Sequence, residues 1–141
     1  MTKAVSTFTA QIPARKAELA VPGSLDIDGA TLRVGADAAT HTVFLGREAK
    51  RFPLRWTKKT AAGDGYVEIR PTSKLTSEIV VALEAPRGIV WKLFGTGQGL
   101  RSLAELYARA LRYEIETRGA EEADGFDLRR TTVGLVKART A

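Results

Sequence analysis

The period of the apolar residues changes once along this chain, and that change limits what the chain can fold into. Up to about residue 85, apolar and polar residues alternate in short runs, which is typical of half-buried β-strands. From residue 100 to residue 118 the period is 3.6, so an apolar stripe follows one side of a helix. The sequence therefore predicts an α+β domain, an antiparallel sheet or barrel of about seven strands packed by one long helix near the C-terminus.

Three segments carry most of the strand prediction. Residues 24–34 are the clearest hairpin, because Asp28-Gly29 accepts positive φ at both positions of a two-residue turn. Residues 77–85 are apolar on both faces, which indicates a covered, central strand. Residues 50–59 alternate cleanly, but Pro53 cannot donate to a ladder. That strand should therefore lie at an edge of the sheet or begin after the proline.

The helix prediction includes both ends of the helix. Ser102 and Glu105 have the spacing of a capping box, and Gly119 is placed to end the helix. Residues 1–119 then form a β-rich domain with its helix, and residues 120–141 an acidic linker and docking tail of the same domain. Three leucines of the stripe should be buried against the sheet: Leu103, Leu106 and Leu111.

Length and composition bound the class of protein. A chain of 141 residues makes one domain with a single core. It has no cysteine, which excludes disulfides and thiolate metal sites. No stretch approaches the roughly 18 apolar residues of a membrane span, and no signal peptide is evident. These observations predict a soluble, cytoplasmic protein.

The net charge of +6 is concentrated in one strand. Residues 47–59 contain six basic residues and one acid, and clustered cations attract polyanions such as nucleic acids. Phe52, Leu54 and Trp56 alternate with these charges and should point into the core rather than stack on bases. A solvated edge that resists aggregation explains the same pattern. The candidate anion-binding or partner-binding residues are Arg51, Arg55, Lys58 and Lys59.

No spacing in the sequence selects a catalytic, cofactor or metal site. His41 is the only histidine and lies in a predicted strand with no nearby acid, so a triad or a histidine metal cluster is not expected. Asp26, Asp28 and Thr31 resemble the start of a calcium-binding loop, but the further ligands of such a loop are missing from the sequence. Residues 95–99, GTGQG, lack the lysine of a phosphate loop and are interpreted as a flexible start of the helix. We therefore expect a protein that is not an enzyme and uses no cofactor.

Five collinear fragments resemble landmarks of the SsgA-like family, the actinobacterial sporulation and cell-division proteins. Trp56 is followed by TKKTAAGDG, so the Ala-Arg-Asp-Leu-Leu element of that family is absent. The fragments are VPGSLDID at 21–28, GYVEIRP at 65–71, VALEAPRG at 81–88, ARAL at 108–111 and GFDL at 125–128.

The resemblance implies a whirly-like fold, a trimer and a non-enzymatic adaptor that controls the division septum through contacts with proteins such as FtsZ. Two other functions stay open. The first is a module for single-stranded nucleic acid that uses the basic strand at 47–59. The second is a START-like carrier of a hydrophobic small molecule, because a resemblance to that family covers about residues 54–119. The two helices expected after the first strand of a START-like protein are not evident.

Overall fold

The computed structural model contains one curled antiparallel sheet of seven strands and a long C-terminal helix, as the periodicity predicts. It describes residues 2–59, 61–86 and 98–131. The strands are β1 (Thr2–Ala10), β2 (Ser24–Ile27), β3 (Ala30–Val34), β4 (Thr40–Phe44), β5 (Arg47–Lys58), β6 (Ala61–Pro71) and β7 (Ser77–Ala85). The helices are α1 (Ala14–Ala20), which follows the first strand, and α2 (Gln98–Thr131), with a 3₁₀ turn at Ala36–Ala38.

The strand order is β1-β7-β6-β5-β3-β2, and β4 also pairs with β5. The predicted hairpin is confirmed: Asp28 and Gly29 have φ of 52° and 79°, which a two-residue turn with both central residues at positive φ requires. The predicted central strand is also confirmed, because β7 lies between β1 and β6.

Pro53 lies inside a long interior strand, so the prediction of an edge strand is wrong. Along one side, β5 pairs first with β4, at residues 47–51, and then with β3, at residues 54–58. Pro53 sits where the neighbouring strand changes, and its carbonyl accepts a hydrogen bond from the Gly35 N–H at 2.9 Å. The Pro53 nitrogen, which carries no hydrogen, lies on the same side of the strand as this carbonyl. It therefore faces the break between β3 and β4, where no ladder bond is lost.

The core lies between one face of the sheet and α2. Trp56 of β5 and Tyr107 of α2 are the largest fully buried side chains. The Trp56 indole crosses over Gly63 of β6 and donates a 2.9 Å hydrogen bond to the Glu84 carbonyl at the end of β7. Other large side chains wholly inside this layer are Leu32, Val67, Ile69, Ile79, Val81, Leu83, Leu100, Leu103, Leu111 and Ile115.

The long helix differs from the sequence prediction at both ends. It begins at Gln98, so Ser102 lies within the helix and does not cap it. It continues through Gly119 to Thr131, which corrects the predicted helix end and the predicted linker after residue 120. Alanine and glutamate after Gly119 are strong helix formers and help to offset two internal glycines, Gly119 and Gly125. No helix among the described residues is both long and apolar enough to cross a membrane. The rest of the predicted tail, from residue 132, and most of the GTGQG segment lie outside the described residues.

The buried stripe of α2 also corrects one predicted core residue. Leu103 and Leu111 are at most 1% exposed, whereas Leu106 is 36% exposed at the border of the stripe. Ala104 and Ala108 are buried instead, because the buried face centres on Tyr107.

We expect Leu103→Ala to reduce the free energy of unfolding by about 2–5 kcal/mol, because it leaves a cavity in a packed core. Leu106→Ala is the matched control on the same helix and should cost less than about 1 kcal/mol. Urea unfolding followed by circular dichroism measures both. Equal losses would show that the two leucines are packed alike and would contradict this placement.

Candidate functional site

The structure does not gather the four candidate cations into one site. Arg51 and Arg55 lie on the outer face of the sheet, away from α2, and each is paired with a carboxylate of β6. The Arg55 to Asp64 distance is 3.3 Å. The Lys58 side chain is largely buried and lies 3.8 Å from Asp28 of the hairpin turn. Lys59 is exposed with φ of 55°, beyond the end of β5. An anion-binding role for these four residues together stays a prediction.

The outer face of the sheet holds a buried carboxylate. The Glu68 side chain is only 4% exposed and accepts hydrogen bonds from Thr42 at 2.9 Å, from Arg51 at 3.2 Å and from Arg70 at 2.6 Å. Arg70 also reaches Glu78 of β7 at 3.2 Å. Burial by itself would raise the pKa of Glu68. The hydrogen bonds from Arg70 and Thr42 and the charges of Arg70 and Arg51 outweigh burial and hold that pKa below its ordinary value. This cluster ties β4, β5, β6 and β7 together.

The structure corrects the expectation that no acid lies near His41. Its Nδ1 lies 3.4 Å from a Glu48 carboxylate oxygen, because β4 and β5 form a hairpin; both side chains are mostly exposed. Glu18 of α1 lies near this end of the sheet, and burial raises its pKa against the opposing charges of Lys50 and His41. Among residues 2–59, 61–86 and 98–131, no three histidine or acidic side chains come together to hold a metal ion.

Tyr107 places a polar hydroxyl group in the apolar interior between the sheet and α2. It projects from the buried face of α2 and is fully buried, and its hydroxyl has no hydrogen-bond partner among the described residues. The other polar groups buried with it are satisfied: the Trp56 N–H bonds Glu84, and the Ser77 hydroxyl donates to the Ile12 carbonyl at 3.0 Å. Burial raises the pKa of Tyr107, so its hydroxyl stays protonated and can donate a hydrogen bond. The sequence shows this residue in the stripe but gives no sign that its hydroxyl is unpartnered.

Comparison with solved structures returns matches to the overall fold. A START-superfamily protein from Mycobacterium smegmatis matches 86% of this chain and 99% of its own, with 9% identity and a TM-score of 0.48. A conserved protein from Geobacillus kaustophilus matches 84% and 95%, with 9% identity and a TM-score of 0.49. The Zhui aromatase/cyclase from Streptomyces sp. R1128 matches 94% and 97%, with 12% identity and a TM-score of 0.37. At these values the likeness concerns the arrangement of sheet and helix alone.

No model of a known protein family matches the sequence, and no curated protein matches it. The resemblance to SsgA-like proteins therefore stays a prediction. The matched structures named above include a START-superfamily protein and an aromatase/cyclase. They agree better with the second alternative, a START-like carrier of a hydrophobic small molecule, than with the adaptor function, which is wrong as the main interpretation.

Proposed function

We propose that this protein binds a hydrophobic small molecule between the sheet and α2, and that the Tyr107 hydroxyl donates a hydrogen bond to an oxygen of that molecule. The observation that carries the proposal is a hydroxyl in an apolar interior that has no hydrogen-bond partner within the described part of the chain. A buried hydroxyl without a partner costs about 1–3 kcal/mol, and natural proteins retain few of them. A ligand with an acceptor oxygen removes that cost.

The surroundings of Tyr107 support an apolar ligand with few polar groups. The other large side chains of the layer are aliphatic or are the aromatic rings of Trp56 and Phe52, and the polar atoms of Trp56 and Ser77 are already bonded. Because the Tyr107 hydroxyl stays protonated, a ketone, ether or alcohol oxygen suits it better than a second donor. We infer binding rather than catalysis, because the buried ionisable Glu68 lies on the outer face and none of the described residues pairs with Tyr107 as a base. Self-association and a whirly-like assembly stay predictions.

The test uses prodan, a neutral naphthalene ketone whose fluorescence reports the polarity around it. We expect saturable binding at one site with a blue-shifted emission, and binding weakened about 2- to 10-fold by Tyr107→Phe, the worth of one neutral hydrogen bond. Without ligand, Tyr107→Phe should raise the free energy of unfolding by about 1 kcal/mol, because it removes an unsatisfied buried group. A ligand-binding role for the hydroxyl therefore predicts that Tyr107→Phe weakens prodan binding and at the same time stabilises the ligand-free protein.

Tyr113→Phe is the matched control, since Tyr113 lies on the same helix and is 68% exposed. It should change neither prodan affinity nor stability. A prodan analogue with a methylene in place of the ketone should bind wild type and Tyr107→Phe equally. Absence of saturable prodan binding, or a loss of affinity shared by both tyrosine variants, would overturn the proposal.

A further inference from the structure

Two arginines face each other on the outer face of the sheet. Arg33 of β3 and Arg55 of β5 are direct partners in the antiparallel register, and both side chains are exposed. Directly opposed residues have Cβ atoms about 4.5–5.5 Å apart, and like charges at that distance repel each other. The register therefore places two arginine side chains, each carrying a guanidinium group, next to each other on this face.

The carboxylates nearby do not neutralise this pair. Asp64 lies next to Arg55 in the register and contacts it at 3.3 Å. Arg33 has no carboxylate within ion-pair distance among the described residues. The three side chains therefore leave one positive charge uncompensated at this point of the sheet.

An open groove of about 360 Å³ lies beside the pair, and most of its surface is apolar. It forms where β5 changes its neighbour: β3 ends at Val34, and the Gly35 N–H bonds the Pro53 carbonyl. A side chain at position 35 would occupy part of this groove, since a Cβ there would lie in contact with the Pro53 ring, at 3.4 Å. Glycine leaves that space open. Besides Arg33, Arg55 and Asp64, the groove is lined by Val34, Gly35, Pro53 and Leu54.

We propose that this groove binds a small organic oxyanion, a phosphate or sulfate ester or a carboxylate carried by a flat apolar body. Paired guanidinium groups match the geometry of such oxyanions, and an anion between them removes their mutual repulsion. The apolar floor accounts for the body of the ligand. The site lies on the face of the sheet opposite Tyr107, so it is independent of the hydrophobic ligand proposed above.

The charge of the site favours a single anionic group over a nucleic acid. A strand of nucleic acid needs a row of cations along its backbone. Two further cations of the basic strand do not extend the site, because Glu68 neutralises Arg51 and Lys58 lies beside Asp28. One uncompensated charge beside an apolar groove fits one oxyanion.

The test titrates 1-naphthyl phosphate into the protein and follows the Arg33 and Arg55 Nε–H signals by NMR. We expect both signals to shift with one saturable curve. Arg33→Gln should weaken binding at least about 5-fold, whereas Arg47→Gln, an exposed arginine at the far end of β5, should leave it unchanged within about 2-fold. Inorganic phosphate carries only the oxyanion and 1-naphthol only the apolar ring, so both should bind more weakly than the ester.

Gly35→Ala separates the apolar contact from the charge. It should weaken binding of 1-naphthyl phosphate more than binding of inorganic phosphate, because the added methyl occupies the groove beside Pro53. Absence of a saturable shift at the Arg33 and Arg55 signals would overturn the proposal, and so would equal weakening by Arg47→Gln. Binding to single-stranded DNA or to anionic phospholipid vesicles that depends on Arg33, without binding of the naphthyl ester, would likewise overturn it.

Discussion

Gly65→Ala is expected to destabilise the protein by about 3 kcal/mol or more, a loss that leaves little of a small domain's stability. A Cβ at Gly65 would overlap the Ala82 carbonyl oxygen and press on the Leu83 Cα at 3.2 Å, and both atoms belong to the backbone of β7. Gly65 and Leu83 are register partners, so neither strand can move away without breaking the central ladder. Urea unfolding, followed by circular dichroism and tryptophan fluorescence, measures the loss.

Gly63→Ala extends this prediction to the indole contact. A Cβ there would overlap the Glu84 carbonyl and the Trp56 ring, which lies across this glycine. The variant should lose the Trp56 to Glu84 hydrogen bond as well, so its tryptophan emission should shift toward that of solvated indole. Gly23→Ala is the control, because a Cβ at Gly23 meets nothing within 4 Å, and its stability should stay within about 0.5 kcal/mol of wild type. Losses below about 1 kcal/mol in both β6 variants would contradict the close approach of β6 and β7.

Local patterns in the sequence predicted the parts of the fold that local chemistry decides. The Asp28-Gly29 turn, the covered strand β7 and the apolar stripe of α2 each depend on residues within one segment. The end of the helix was misplaced because a glycine can end a helix or be carried within it. The residues after Gly119 decide between the two, since a glycine inside a helix costs only about 1 kcal/mol.

The candidate sites depend on contacts between distant segments, which no local pattern shows. Arg33 faces Arg55 only because β3 pairs with β5 in one register, and a shift by one residue would put a different side chain opposite. Tyr107 has the spacing of any core residue. That its hydroxyl finds no partner among the described residues depends on what the sheet presents to it. The basic strand was correctly divided into inward and outward residues. The carboxylates that neutralise Arg51 and Arg55 come from β6 and could not be assigned from spacing.

Glu68→Gln is expected to cost about 2–4 kcal/mol at pH 7. Its neutral amide would leave Arg51 and Arg70 facing each other without the carboxylate that both now contact. Removing one partner of a buried ion pair costs about 3–5 kcal/mol, and the partial exposure of both arginines lowers that figure here. Asp64→Asn is the control on the same strand and face. Its pair with Arg55 is mostly exposed, and a surface pair contributes about 0–1 kcal/mol.

The pH dependence of the same variant tests the cause of the loss. The pKa of Glu68 is lower in the folded protein than in the unfolded chain, so its contribution is fully present above the unfolded value of about 4.3. That contribution is lost as the pH falls through the lower, folded value. The stability difference between wild type and Glu68→Gln should therefore be constant above about pH 5 and shrink below about pH 4. Urea midpoints at several pH values measure it. A difference that stays the same down to about pH 3 would mean that the introduced amide destabilises through its shape, and that the charge of Glu68 does not hold the four strands together.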